Sequence, residues 1–480
     1  MKISHICKAI NGALIQSIQN TDIQHLLFDS RKITFPKNAL FFALQSKSRD
    51  GHNFIAAAYK RGIRNFVIGQ SDYPIQNYPE ANFVLVSDSI EALQNLAAEH
   101  RSHFDYPVIG ITGSNGKTVI KEWLYQLLWQ DFHIVRSPKS FNSQIGVPLS
   151  VWQMNADHNL GIFEAGISQV GEMENLAKVI QPSIGIFTNI GAAHSKGFES
   201  DKHKIKEKLQ LFESVDFLIY CSDYEEIHEC VKALKQSVKT LTWSKNQSDF
   251  KPDLQIQFIH KQSTFTHIEG QYQDRIHQIK IPFTDEAYIE NAIHCWFLLL
   301  HFGYSDNDIA AKMWQLSAIA MRLELKQGNN NCSIINDSYN NDLHSLSVAL
   351  DFLKQQRQHP KRTVILSDIL QSGQNHQELY RQVAQLLQQK NIQRLVGIGE
   401  KMTEYQSFFE GMEAIFFPTT KAFLQQIPNF RDESILVKGA RTFAFEKIAN
   451  ALSQKAHSTV LEINLNAIAH NLKVYRRLLQ

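Results

Sequence analysis

The segment Gly110 to Thr118, GITGSNGKT, constrains this chain more than any other. Pro107 to Ile111 reads as a short buried strand, and after Lys117 the apolar positions Ile120, Trp123, Leu124, Leu127 and Leu128 recur at helical spacing. A glycine-rich loop between strand and helix points backbone N–H groups and a helix N-terminus at an anion. It predicts a phosphate site in which Gly113, Ser114, Asn115 and Gly116 form the cradle, Lys117 reaches the β/γ-phosphates and Thr118 serves a magnesium ion. The spacing departs from the usual phosphate loop, because five residues separate Gly110 from Gly116.

The rest of the chain frames that loop. Before it, residues 1–104 carry short strand signals such as ALFFAL at 39–44 and RNFVIG at 64–69, and a boundary falls near Asp105. After it, LGIFEAG (160–166), SIGIFTNI (183–190) and DFLIYCS (216–222) alternate with helical stretches around 172–180 and 202–214. Such alternation predicts a mainly parallel sheet covered by helices. Residues 254–283 alternate in the β manner, and two helical stretches run to about Leu316. A second α/β unit follows through SIINDSY, TVILSDIL, RLVGIGE and SILVKGA. The fold class is therefore α/β, with domains at 1–104, 105–316 and 317–456, which 480 residues accommodate at the usual ~100–200 per domain.

Composition narrows the partners. With 49 Lys and Arg against 47 Asp and Glu, the net charge of +2 gives no electrostatic case for nucleic acid or an anionic membrane, so a small-molecule substrate is expected. Five scattered cysteines (Cys7, Cys221, Cys230, Cys295, Cys332) form no CxxC pair, which suggests neither a disulfide framework nor a zinc cluster and fits a reducing cytoplasm. The N-terminus lacks the apolar centre of a signal peptide, and no run of about 18 apolar residues predicts membrane insertion.

Ten further segments follow in order: DSRKI (29–33), DGHNFI (50–55), FNSQIGVPL (141–149), FEAGIS (163–168), TNIGAAHSKGF (188–198), KEKLQLF (206–212), ENAIHC (290–295), MRLE (321–324), NDSYNN (336–341) and VKGAR (437–441). With the loop, they make roughly residues 20–456 resemble the Mur ligases of peptidoglycan synthesis, in particular the branch joining D-alanyl-D-alanine to UDP-N-acetylmuramoyl-tripeptide. Members carry the short loop TGSxGKT, which accounts for the spacing at Gly110. The resemblance implies a UDP-substrate-binding domain over 1–104, a central P-loop ATPase-like parallel sheet over 105–316 and a Rossmann-like C-terminal ligase domain over 317–456.

Such ligases use ATP to convert a carboxylate into an acyl phosphate before an amine attacks it. Phosphoryl transfer needs charge neutralisation and in-line positioning more than covalent help, so lysine, magnesium and backbone donors should dominate the site. The resemblance implies catalytic roles for Lys117, Glu164, His194 and Lys208. Glu164 ends an apolar strand, where a carboxylate projects over the carboxyl edge of the sheet, and is expected to bind magnesium with Thr118. His194 is expected to bind a second magnesium ion. Lys208, four residues before Phe212, aligns with the lysine that Mur ligases carry as a magnesium-binding carbamate. Apart from the resemblance, Lys202, Lys204, Lys206 and Lys208 read as a solvated helix face, and Lys206 is the alternative carbamate site.

Asn291 is implied at the adenine, and Arg322 and Asp337 at the nucleotide from the linker and C-terminal domain. Asp29, Ser30, Arg31, Asn142, Asn340, Asn341, Lys438 and Arg441 are implied to bind substrate. The sequence departs from the family at Ser143, where asparagine is frequent, at Glu199, where glycine is usual, and at Asp342 and Leu343, where Asn-Pro often follows the YN pair.

The last segment, STVLEINLNAIAHNLKVYRRLLQ, alternates like a strand at Leu461, Ile463 and Leu465 and then repeats at helical spacing. It resembles the opening of alanine racemase, so residues 457–480 are expected to begin a truncated racemase domain whose remainder belongs to a longer bifunctional protein. No pyridoxal phosphate is expected in this chain, because one barrel unit cannot enclose that cofactor. Two alternatives stay open: another Mur-type or a folylpolyglutamate-type ligase, and a nucleotide-binding regulator without ligase activity. The DSR segment argues against a folylpolyglutamate enzyme, and Glu164, His194 and Lys208 beside Lys117 argue against a regulator.

Overall fold

The computed structural model describes residues 1–33, 35–46, 49–191, 198–234, 238–246, 251–317, 324–338, 341–355, 359–370 and 375–454. The racemase-like segment at 457–480 lies outside them. Among the described residues the main strands gather into three sheets, one for each unit expected from the sequence.

The first holds β1 (Ala13–Gln16), β2 (His25–Leu27), β3 (Ala39–Phe42), β4 (Asn65–Ile68) and β5 (Asn82–Leu85) in the order β1-β5-β4-β3-β2. β1 pairs antiparallel and the others parallel. ALFF and NFVI are buried throughout, as strands covered on both faces must be. Helix α1 (Ser89–Arg101) is capped by the Asp88 carboxylate, which accepts from Ile90 N–H and Glu91 N–H. At its other end the buried Arg101 guanidinium donates to the carbonyls of Ile180 and Gln181, both at 3.0 Å, tying the first domain to the second.

The second sheet holds β6 (Val108–Thr112), β7 (Ile134–Arg136), β8 (Leu160–Glu164), β9 (Ile184–Phe187), β10 (Phe217–Cys221), β11 (Lys239–Ser244), β12 (Leu254–Lys261), β13 (Thr266–Tyr272) and β14 (Arg275–Ile281). Their order is β14-β13-β12-β11-β10-β9-β6-β8-β7, parallel from β7 to β12 and antiparallel beyond. The alternating 254–283 stretch thus extends the parallel sheet. β6 lies between β8 and β9, at the point where the winding direction reverses, and it is outside the carboxyl ends of the strands at such a point that open α/β sheets bind ligands. Helix α2 (Lys117–Leu128) leaves β6 through the glycine loop and buries Ile120, Trp123, Leu124, Leu127 and Leu128 against the sheet. Helix α5 (Glu286–His301) packs into the same core as α2, whereas α3 (Glu172–Ile180) and α4 (Asp201–Leu209) pack into a second core.

The third sheet holds β15 (Glu324–Gln327), β16 (Ser333–Asp337), β17 (Lys361–Ser367), β18 (Arg394–Ile398), β19 (Glu413–Phe417) and β20 (Glu433–Lys438) in the order β15-β16-β20-β17-β18-β19. β16 leads into helix α6 (Leu343–Gln355). The edge strands β15 and β19 were not among the sequence expectations. β15 (ELKQ) carries no apolar run, whereas β19 (EAIFF) carries one that is only partly buried. No helix among the described residues is long and apolar enough to cross a membrane.

Candidate active site

The loop after β6 turns on two glycines with positive φ, Gly113 at +141° and Gly116 at +85°. A Cβ at Gly113 would stand 2.0 Å from the Thr188 hydroxyl, and one at Gly116 would stand 2.3 Å from the Asn291 carboxamide oxygen, so both positions need glycine. The end of β9 holds the loop. Ser114 N–H donates to the Asn189 carbonyl at 2.9 Å and Asn115 N–H to Asn189 Oδ1 at 3.0 Å. The Thr188 hydroxyl donates to the Asn115 carbonyl at 2.5 Å, and Gly191 N–H donates to Ser114 Oγ at 2.9 Å. Lys117 opens α2 and folds its ammonium back onto the Gly113 and Ser114 carbonyls at 2.6 and 3.0 Å.

Thr118 and Glu164 meet as expected. The Thr118 hydroxyl donates to Glu164 Oε2 at 2.9 Å, so the 3.0 Å contact with Ser140 is donated by Ser140. Glu164 is fully buried at the end of β8. Its other oxygen faces the equally buried Lys121 ammonium at 3.4 Å, which also donates to the Ser137 carbonyl at 2.7 Å and to the Lys139 carbonyl. Glu122 adds a second carboxylate 3.0 Å from Lys121. Sequence reasoning missed Lys121. Its signal was positional: it stands three residues after Thr118 on the same helix, where side chains share a face.

The lysine row on α4 divides. Lys204 and Lys208 are buried, whereas Lys202 and Lys206 are exposed, which corrects the expectation of a solvated face for two of the four. Residues four apart share a helix face, and here that face meets the sheet. Lys208 donates to the Gly113 carbonyl at 3.3 Å, the same carbonyl that Lys117 reaches, and Lys204 donates to the Gly191 carbonyl at 2.6 Å. Burial first, then the neighbouring Lys117 and Lys204 charges, push the Lys208 amine well below its ordinary pKa. Burial likewise lowers Lys204, against the carboxylates of Asp201 and Asp342.

The remaining expected residues are distributed around this centre. Asn291, buried on α5, lies over Gly116. Asp337, at the end of β16, forms a buried 2.6 Å ion pair with Lys438 at the end of β20. Asn341 is buried, its nitrogen donating to the Ser367 carbonyl at 2.9 Å, and Arg441 opens a short exposed turn. Asp342, where the family often has asparagine, caps α6 by accepting from Ser345 N–H at 2.9 Å. Asn142 is half-buried beside Gly166, whose N–H it binds through its carbonyl at 2.8 Å. Expected positions His194, Arg322 and Asn340 lie outside the described residues.

In the first domain Asp29 caps the turn carrying Ser30 and Arg31. Both Asp29 oxygens receive the Arg31 guanidinium at 2.9 Å, with Arg31 74% exposed. These residues line a cavity of about 250 Å³ with Phe28, Gly51 and Phe54. Phe28 and Asp29 also border a larger cleft of about 870 Å³ that reaches His100, Phe141 and Trp152 of the adjoining elements.

Three families match successive parts of the chain: "Mur ligase family, catalytic domain" at residues 22–101, "Mur ligase middle domain" at 111–299 and "Mur ligase, glutamate ligase domain" at 321–441. The chain is 26% identical over 462 residues to the UDP-N-acetylmuramoyl-tripeptide–D-alanyl-D-alanine ligase of Bacillus subtilis, covering 94% of this chain and 98% of the relative. The ligase of the same name from Escherichia coli gives the same identity and coverage. Among solved structures, MurF from Acinetobacter baumannii superposes with a TM-score of 0.77 at 23% identity, covering 94% of this chain and 98% of the other. MurF from Thermotoga maritima in complex with ADP superposes at 0.71 and 19% identity, covering 90% and 98%. At these identities the structures establish the shared fold.

Proposed function

The chain belongs to the Mur ligase family, and we propose that within it this protein joins D-alanyl-D-alanine to UDP-N-acetylmuramoyl-tripeptide with the consumption of ATP, in the synthesis of peptidoglycan precursors. One observation carries the chemistry: Lys117, Thr118, Glu164 and Lys208 converge at the carboxyl ends of β6 and β8, with Lys117 and Lys208 both reaching the Gly113 carbonyl. The full-length relatives supply the substrate class.

The residues fit each part of the reaction. A carboxylate resists attack by an amine until one of its oxygens becomes a leaving group, which transfer of the γ-phosphoryl group accomplishes. Lys117 and the backbone donors of the loop offset the charge of the phosphates, as anion sites at helix N-termini do. The buried carboxylate of Glu164 and the hydroxyls of Thr118 and Ser140 form an oxygen-rich set suited to a hard cation such as magnesium. When bound there, magnesium supplies charge neutralisation on the phosphates. Asn291 over Gly116 suits the adenine side, and the Asp337–Lys438 pair suits the nucleotide and substrate side of the third domain.

Lys208 suits carbamylation: its neutral amine adds to carbon dioxide, forming an N–C bond and releasing one proton, and the product is a second carboxylate in a site where Glu164 is the first. Burial and two neighbouring cations favour the neutral amine that this addition requires. Exposed Lys206 has no such environment. His194 and Arg322 are proposed for the second magnesium and the nucleotide from the resemblance alone. Asp29, Ser30 and Arg31 are proposed to hold the uridine nucleotide, and Asn142, Asn340, Asn341 and Arg441 the remaining substrate groups. Domain limits at 104/105, 316/317 and 456/457 complete the reading.

The test is phosphate release from ATP with single omissions. Release that requires both UDP-N-acetylmuramoyl-tripeptide and D-alanyl-D-alanine supports the reading, and release indifferent to D-alanyl-D-alanine overturns it. Offering tripeptides ending in diaminopimelate and in L-lysine identifies the accepted third residue.

A further inference from the structure

Lys121 and Glu164 are both wholly buried, and the three hydrogens of the ammonium have three acceptors: the Ser137 carbonyl at 2.7 Å, the Lys139 carbonyl, and Glu164 Oε1 at 3.4 Å. Glu122 Oε1, at 3.0 Å, adds a second negative charge. The segment after β7 is shaped around this contact. Lys139 stands in the left-handed region at φ +52°, which residues other than glycine seldom adopt. Glu164 N–H donates to Ser137 Oγ at 3.3 Å, and the Ser140 hydroxyl reaches Thr118 at 3.0 Å. A lysine that merely balanced a buried charge could face either carboxylate oxygen. Here the two oxygens are divided, because Oε1 receives the ammonium and Oε2 receives the Thr118 hydroxyl at 2.9 Å.

We propose that Lys121 sets the cation preference of this site: by holding Oε1 of Glu164, it leaves Oε2 as the one carboxylate oxygen open to a cation. Calcium takes about six to eight oxygens in a flexible shell and accepts both oxygens of a carboxylate, whereas magnesium demands a near-ideal octahedron, which the narrow bite of a chelating carboxylate does not fit. A carboxylate restricted to one oxygen therefore favours magnesium. Reaching Oε2 costs only the Thr118 hydroxyl contact, whereas reaching Oε1 takes a buried ammonium off its carboxylate and strands the charge. Lys121 acts through Glu164 and is a positioning residue. The inference rests on the reading of Thr118 and Glu164 as the metal site beside ATP.

The experiment measures binding of β,γ-methylene ATP by calorimetry, with saturating magnesium or saturating calcium as the sole divalent cation, for the wild-type protein and Lys121→Gln. A glutamine carboxamide has two hydrogens, enough for the Ser137 and Lys139 carbonyls, with none left for Oε1. Removing the ammonium charge strengthens both cations alike, so the ratio of the two affinities carries the answer. The wild-type protein should bind the analogue more tightly with magnesium, and in Lys121→Gln the magnesium-to-calcium ratio should fall roughly fivefold, as for one hydrogen bond released. An unchanged ratio would overturn the inference, and equal losses with the two cations are that outcome, since they would make Lys121 a structural residue only. A wild-type protein that binds the analogue equally with either cation would overturn it without any variant. Binding with neither cation would instead overturn the ATP reading itself. Should Lys121→Gln fail to fold, Lys121→Met is measured in the same way, with the same expected fall and the same refutation.

Discussion

The two regions proposed to face nucleotides are built on opposite plans. Around β6 and β8 the polar groups are bound to one another: Glu164 between Thr118 and Lys121, Lys208 on Gly113, the loop on Asn189. In the first domain, Asp29 and Arg31 pair with each other at the rim of a cavity, and Arg31 lies mostly in water. A preorganised site aims its dipoles at charge that develops in the transition state without reorganising at that moment. A solvated pair surrenders little when it exchanges one partner for another. The contrast fits the proposal of chemistry in the first region and substrate recognition in the second.

The largest expected effects test the buried plan. Lys117→Ala should lower kcat by at least ~10²-fold, the usual consequence of removing one transition-state donor. Lys208→Ala should do the same, with short carboxylates restoring part of the turnover and Lys206→Ala remaining near wild type. Steady-state assays of the purified variants decide, and equal losses at 206 and 208 would break the distinction between the two faces of α4. Lys121→Met, which strands the Glu164 carboxylate, should destabilise the protein by ~3–5 kcal/mol in chemical denaturation.

A smaller effect sharpens the comparison through pH. The folded value for His294 is about 3 against an ordinary 6.5, so between these values the unfolded chain takes up a proton that the native protein refuses. Stability therefore falls as pH drops through that window, by up to ~1.4 kcal/mol per pH unit from this group. Denaturation at pH 7 and pH 5 should show the loss in the wild type and a flatter response in His294→Gln. The smallest effect belongs to the solvated plan: Arg31→Ala should raise KM for the uridine-linked substrate about two- to fivefold, as for an exposed charge pair, with kcat nearly unchanged. A kcat loss like that of Lys117→Ala would end the division of labour.

Much of this was legible in the sequence, for reasons that also mark where legibility stopped. The glycine loop, the helix behind it and the central strands announce themselves through apolar runs and backbone requirements that few residues satisfy. Glu164 and Lys208 were found by their place in ordered segments that resemble a family. Lys121 was not, since a lysine in a helix reads as solvent-facing unless the carbonyls of Ser137 and Lys139, brought from another part of the chain, are known to meet it. His294 was hidden for the same reason, its partner Trp243 standing 51 positions away on another element. Edge strand β15 escaped because ELKQ holds no apolar run, and β19 escaped although Ala414–Phe417 is one.

The most direct test of the account follows an oxygen atom. With the C-terminal carboxylate of the tripeptide labelled with oxygen-18, and with ATP and D-alanyl-D-alanine supplied, activation through an acyl phosphate predicts that one labelled oxygen leaves on the inorganic phosphate for each amide formed. Mass spectrometry of the phosphate should show that single transfer. Amide formation accompanied by unlabelled phosphate would contradict the mechanism that the buried site is built to serve.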